Sequence, residues 1–146
     1  MRISSIYIQN FKKLYRCKID FSKDTTLFVG ANNSGKTSAM DALGKFLAGR
    51  PFVFNDFTIS NRELINKIGA QWEIPDCEKP ESISNWSNLL PAMDVWLDVA
   101  LQDIHHVVSI IPTLNWRGGL LGVRLLFQPQ NIETLFTEYR EAFFAA

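Results

Sequence analysis

Residues 30–37 read Gly30-Ala31-Asn32-Asn33-Ser34-Gly35-Lys36-Thr37, and the rest of the chain is best understood outward from them. They match G-x-x-x-x-G-K-[ST], the Walker A or P-loop pattern. Each fixed position has a physical task. Gly30 and Gly35 let the backbone turn so that successive N–H groups point inward at a phosphate. Lys36 reaches for the β- and γ-phosphates and offsets their charge, which makes it the candidate catalytic residue. Thr37 offers a hydroxyl to Mg²⁺ and is the candidate metal ligand. A helix opening here sets its positive N-terminal end against the phosphates.

The flanks suit the motif. Thr26-Leu27-Phe28-Val29 is a short apolar run bounded by Gly30, as expected of a buried central strand. A helix is expected from about Gly35 to Leu47, with Met40, Leu43 and Leu47 at helical spacing and a stop at Gly49 before Pro51. Upstream, partial alternation over residues 3–11 predicts a strand. Residues 12–16 read as a basic turn, and Cys17, Ile19 and Phe21 mark a second strand.

Downstream, residues 61–68 suggest a short helix, and residues 73–88 an irregular surface segment. Residues 93–101 alternate most clearly, with Met93, Val95, Leu97, Val99 and Leu101 on one face. A short helix over 103–111, a turn at 116–119 and a strand over 120–127 follow. Asn131 caps a last helix, 132–144, in which Leu135, Tyr139 and Phe143 recur every four residues.

The chain has 146 residues, 47% hydrophobic and 21% charged, the balance of one globular domain rather than a disordered chain. No apolar run approaches the ~20 residues that span a bilayer, and the N-terminus does not read as a secretory signal. Two cysteines, Cys17 and Cys77, make no disulfide framework. The expectation is a cytoplasmic protein without membrane contact. The net charge of zero divides unevenly. Residues 1–50 carry nine Lys/Arg and three Asp/Glu, and residues 51–146 six and twelve. A basic front half could face phosphates, or the halves could attract each other.

Hydrolysis needs a second acid for Mg²⁺ and a group that orients water. Phe52-Val53-Phe54-Asn55-Asp56 has some character of an apolar strand ending in acid, but it is short. Asp94 and Asp98 sit within an alternating strand. Neither makes a convincing Walker B element, and no LSGGQ-like signature is present.

The order of these pieces resembles a known group. Ile6-Tyr7-Ile8-Gln9-Asn10-Phe11-Lys12-Lys13 is similar to the I-x-I-x-N-F-[RK] opening of ABC-type DNA-repair ATPases, which include the SMC and RecF groups and the OLD (overcoming lysogenization defect) nucleases. Residues 26–38 with Ala42-Leu43 resemble their P-loop stretch. Leu97-Asp98-Val99, His105-His106-Val107-Val108, residues 111–116 and Gly122-Val123-Arg124-Leu125 look most like the OLD-type ATP-dependent endonucleases.

The resemblance implies an α/β P-loop NTPase fold of the ABC/SMC head type, of which residues 1–146 form an incomplete N-terminal lobe. Residues 1–50 would hold the antiparallel hairpin, P-loop and helix, and residues 51–146 a β-rich and helical remainder. Walker B, signature and Toprim nuclease regions are absent. It further implies ATP and Mg²⁺ as cofactors, held by Gly30, Asn32, Asn33, Ser34, Gly35, Lys36, Thr37 and Ser38, with Lys12 near the nucleotide and Gln128 as a Q-loop glutamine. ATP-bridged head dimerisation would control a nuclease, with DNA as partner of a longer protein and phage defence as the setting. The alternatives are an SMC- or RecF-like head fragment and a non-enzymatic nucleotide-sensing assembly module.

Other features carry simpler expectations. Adjacent His105 and His106 point apart and lack further ligands for zinc. Asp41 reads as an exposed helix acid. Lys12, Lys13, Arg16 and Lys18 beside Tyr7, Phe11 and Tyr15 form a basic and aromatic patch that could meet DNA, line the nucleotide pocket or be a solvated turn.

Overall fold

The computed structural model describes residues 1–21, 36–80 and 87–145. The expected turn at 22–24, the central strand at 26–29 and the loop from Gly30 to Gly35 lie outside the described residues. Strands β1 (Arg2–Phe11), β2 (Leu14–Asp20), β3 (Ala92–Val99) and β4 (Gly119–Leu126) form one antiparallel sheet in the order β2-β1-β3-β4. Helices α1 (Lys36–Leu47), α2 (Ile59–Trp72) and α3 (Ile132–Ala145) accompany it.

Register explains why alternation in β1 is only partial. Ile6 and Ile8 are fully buried and lie beside Ile19 and Cys17 on one side and Val95 and Met93 on the other. Ile3 pairs with Leu97 and Ser5 with Trp96, so a bulge at residue 4 returns Ile3 to the same face despite its odd spacing from Ile6. At the other end Asn10 has φ +57°. This left-handed step, tolerated by Asn better than by most residues, lets Phe11 turn back into the core, where it is 0% exposed.

Helix α1 covers the inner face through Ala39 and Ala42, with Leu43 and Phe46 packed at the margin. The stripe 39, 42, 43, 46 replaces the predicted one, since Met40 and Leu47 are exposed. Small residues win the inward positions because they bring the helix close to β1. A chain of aromatic contacts runs from Phe11 and Phe46 through Phe52 to Phe127 and Phe57. Val99, Val107 and Leu121 form a second cluster with Trp116 and Ile111 at its edge.

Several boundaries differ from expectation. Helix α2 runs four residues beyond Ile68, through Gly69, to Trp72, whose ring meets Phe136 and Tyr139 of α3 edge-on. Residues 103–111 are not an α-helix but two 3-10 segments, Leu101–His106 and Val108–Ile110, and Leu101 is exposed rather than part of β3. Asn131 does cap α3, its Oδ1 accepting from the Glu133 and Thr134 amides at 2.9 and 3.2 Å. The buried residue of α3 is Phe136, which meets Trp72 edge-on, while Phe143 is exposed.

Candidate functional site

Helix α1 opens at Lys36, directly after the glycine loop. The loop positions Gly30, Asn32, Asn33, Ser34 and Gly35 are outside the described residues. Thr37 is exposed in the first turn and Ser38 half-buried. No acid occupies that first turn, so nothing there opposes an anion at the positive helix end. An exposed hydroxyl at Thr37 is the donor type a hard cation such as Mg²⁺ accepts. Among the described residues, Thr37 and the first turn of α1 therefore fit a magnesium nucleotide.

One turn further along, a charged cluster ties α1 to the hairpin. Lys12 has φ +50° in the tight connection between Phe11 and Leu14. Its ammonium lies 2.7 Å from Asp41 Oδ2 and 3.9 Å from Asp56 Oδ1. Lys45 Nζ lies 3.1 Å from Asp56 Oδ2 and donates to the Pro51 carbonyl at 2.6 Å. Asp56 itself is 1% exposed. Its Oδ2 accepts from the Val53 amide at 2.8 Å, and its carbonyl accepts from the Lys12 amide at 2.7 Å. The Lys12 hydrogen bond, with the charges of Lys12, Lys45 and Arg50, holds the Asp41 carboxyl below its usual value against the opposing effect of burial.

These contacts revise several expectations. Asp41 is not a free surface acid but the partner of Lys12. Asp56, in the stretch whose Walker B character was already weak, lies in a 3-10 turn, Phe54–Asp56, with its Oδ2 facing Lys45 and the Val53 amide. Lys12 stays beside α1, which keeps it within reach of the helix that carries Thr37. Sequence reasoning missed Lys45 and Asp56 as a pair because only the fold brings α1 and residues 53–56 together.

Asn10, the asparagine of the opening motif, also acquires a role. Its Nδ2 donates to the carbonyls of Asn88 and Leu90 at 2.6 and 3.2 Å, and its Oδ1 accepts from Asn61 at 3.2 Å. Buried Asn61 also donates to the Leu89 carbonyl. The motif residue thus joins the hairpin, α2 and the entry to β3.

Other candidates fall elsewhere. Gln128 is exposed beside an apolar cavity of about 290 Å³ lined by Phe57, Ile65, Leu90, Phe127 and Leu135. Its neighbour Phe127 reaches α1 only through Phe52 and Phe46, in the last turn of that helix. The basic and aromatic patch is divided, with Lys13, Tyr15, Arg16 and Lys18 exposed and the rest drawn inward or paired. Phe11 is core, Lys12 is paired, the Tyr15 hydroxyl bonds Ser60, and Lys18 sits 3.6 Å from Asp20. Part of the charge asymmetry is met between the two halves, through the Met1 amine with Asp103, Arg2 with Asp98, and Lys12 and Lys45 with Asp56. Among the described residues, His105 and His106 join no group of three or more metal-binding side chains, and no helix is long and apolar enough to cross a membrane.

The sequence is similar to those of known proteins. Over 98% of its length the chain is 24% identical to an uncharacterized protein of Methanocaldococcus jannaschii, of which it covers 46%. Over 36% of its length it is 38% identical to the DNA replication and repair protein RecF of Marinobacter nauticus and to that of Vibrio campbellii, covering 14% and 15% of them. The chain thus spans less than half the length of these relatives. Residues 1–133 match the AAA ATPase domain family. With its antiparallel sheet lobe, α/β P-loop NTPase fold and distant relation to RecF-like proteins, this ATP-binding chain belongs to the AAA ATPase domain family.

Proposed function

We propose that residues 30–38 bind ATP·Mg²⁺ and that the lobe transmits occupancy of that site to a DNA-handling assembly. The observation that carries this reading is the placement of α1. It opens at Lys36 with an acid-free first turn, directly behind a complete G-x-x-x-x-G-K-T loop. Gly30, Asn32, Asn33, Ser34 and Gly35 supply backbone donors, Lys36 offsets phosphate charge, and Thr37 holds Mg²⁺ with Ser38 beside it. Bound Mg²⁺ would neutralise charge on the β- and γ-phosphate oxygens. Lys12, one helical turn away, is the residue through which the hairpin senses the nucleotide. Two heads of a longer protein closing over ATP would supply the water-orienting and signature groups not found in residues 1–146, so hydrolysis by these residues alone is weak or absent.

Two longer architectures suit such a lobe. The RecF similarity favours a DNA-repair head of the SMC/RecF branch. The stretches at 97–99, 105–108 and 122–125 favour the ATPase lobe of an OLD-type endonuclease, with phage defence as its setting. A DNA-cleavage assay on the native protein separates them, because only the second predicts metal-dependent cutting. For the shared claim, the test is a nucleotide titration of wild type and Lys36→Ala. Loss of binding in a folded Lys36→Ala variant supports the assignment, and unchanged affinity removes it.

A further inference from the structure

The two edges of the sheet are built differently. Edge strand β2 carries Arg16, Lys18 and Asp20 on its outer face within seven residues. Charged side chains of this kind discourage pairing with another chain. Edge strand β4 reads Gly119-Leu120-Leu121-Gly122-Val123-Arg124-Leu125-Leu126, with one charge and no proline. Among the described residues, no strand pairs with its far side. Leu120 and Leu126, on the outer face, are 61% and 49% exposed. Val123 and Leu125, on the inner face, are only half-buried.

We propose that β4 is a dimerisation strand, pairing antiparallel with β4 of a second copy about a two-fold axis through Val123. The strand is self-complementary in that register. Leu120 falls opposite the partner's Leu126, and Leu121 opposite the partner's Leu125. Arg124 falls opposite the partner's Gly122, so no like charges face each other. Gly122 is the position over which the Trp96 indole lies, where a Cβ would stand 2.9 Å from the ring. The missing side chain at Gly122 leaves room opposite for Arg124, whose charge is already neutralised by Asp94 of its own β3 at 2.7 and 3.0 Å. The product is an eight-stranded sheet that removes the unguarded edge of each copy. It forms without nucleotide and is separate from any closure of heads over ATP.

The test is sedimentation of the whole chain without nucleotide over a concentration series. The expected result is a species of twice 16.7 kDa, retained in Lys36→Ala. The double variant Leu120→Lys/Leu126→Lys sets lysines opposite each other across the axis and loses the dimer. Leu120→Lys/Leu126→Glu sets opposite charges in the same register and restores it, which separates pairing from any general effect of charge on folding. A monomer at every concentration, as for an edge that receives a strand of a different protein, overturns the proposal. So does a dimer that survives the double lysine variant, or one that the Lys/Glu pair fails to restore.

Discussion

The Asp56 carboxylate, almost wholly removed from solvent, lies 3.1 Å from the Lys45 ammonium of α1. It also caps the Val53 amide, while the Asp56 carbonyl receives the Lys12 amide. One residue thus fixes α1 to the hairpin turn. A buried charge of this kind is held by its partners, and removing one side leaves the other uncompensated.

Asp56→Ala is accordingly expected to lower stability by about 3 kcal/mol or more. Asp56→Asn keeps an acceptor for Val53 but loses the charge, and should fall between the two. Urea denaturation of the three proteins checks the order. A loss within ~0.5 kcal/mol for the alanine variant, the size of an ordinary surface substitution, would show that the tie carries nothing.

The Lys12–Asp41 pair makes a pH prediction. Hydrogen bonding to Lys12 lowers the Asp41 pKa from its usual 3.8. A depressed folded-state pKa contributes stability above the unfolded value, and that contribution disappears as pH falls through the folded value. Asp41→Asn should therefore be less stable than wild type at neutral pH, by about 1 kcal/mol for a partly exposed pair. The gap should close below pH 3.8. Thermal melts of both proteins across that range decide the matter, and a gap independent of pH contradicts it.

Asn10→Ala removes two donors to the 88–90 backbone and the acceptor for Asn61, and places alanine at a positive φ. The expected cost is about 1–3 kcal/mol. Asn10→Gly keeps the backbone conformation and should recover only the part due to φ. Hydrogen exchange should report faster opening of Leu89, Leu90 and the first turn of α2 in both variants.

Tyr139 donates to Glu73 Oε1 at 2.7 Å, and this bond, with burial and the glutamate charge, raises the phenol pKa from 10.0. Glu73→Gln removes the charge that opposes phenolate formation. One of the three tyrosines should then titrate at lower pH in an absorbance titration. An unchanged curve would mean that the two side chains do not meet.

Much of this was legible in the sequence, for reasons that differ by element. Alternation marked β1 and β3 because each has one face on the core. Asn131 announced α3 because a side-chain cap is a local contact. The bulge at residue 4 and the left-handed step at Asn10 were not legible, although the odd spacing of Ile3, Ile6, Ile8 and Phe11 is their trace. The stripe of α1 was misread because apolar size pointed to Met40 and Leu47, whereas close approach to β1 selects Ala39 and Ala42. Asp56 was opaque for a stronger reason, since its partners Lys12 and Lys45 come from two other segments. The candidate site is the reverse case. Its P-loop pattern is local, and so the family's ATPase character could be read from Gly30 to Thr37, whereas the loop itself lies outside the described residues.

The central claim is that ATP·Mg²⁺ sits against residues 30–38 at the start of α1. The most direct measurement is a residue-resolved map of backbone amide shifts on adding ATP·Mg²⁺ to the labelled chain. The account predicts saturable changes concentrated in residues 30–38, with a smaller response at Lys12 and Asp41. They should be absent when Lys36→Ala is titrated. Saturable changes that leave residues 30–38 untouched, or no changes at all, would contradict it.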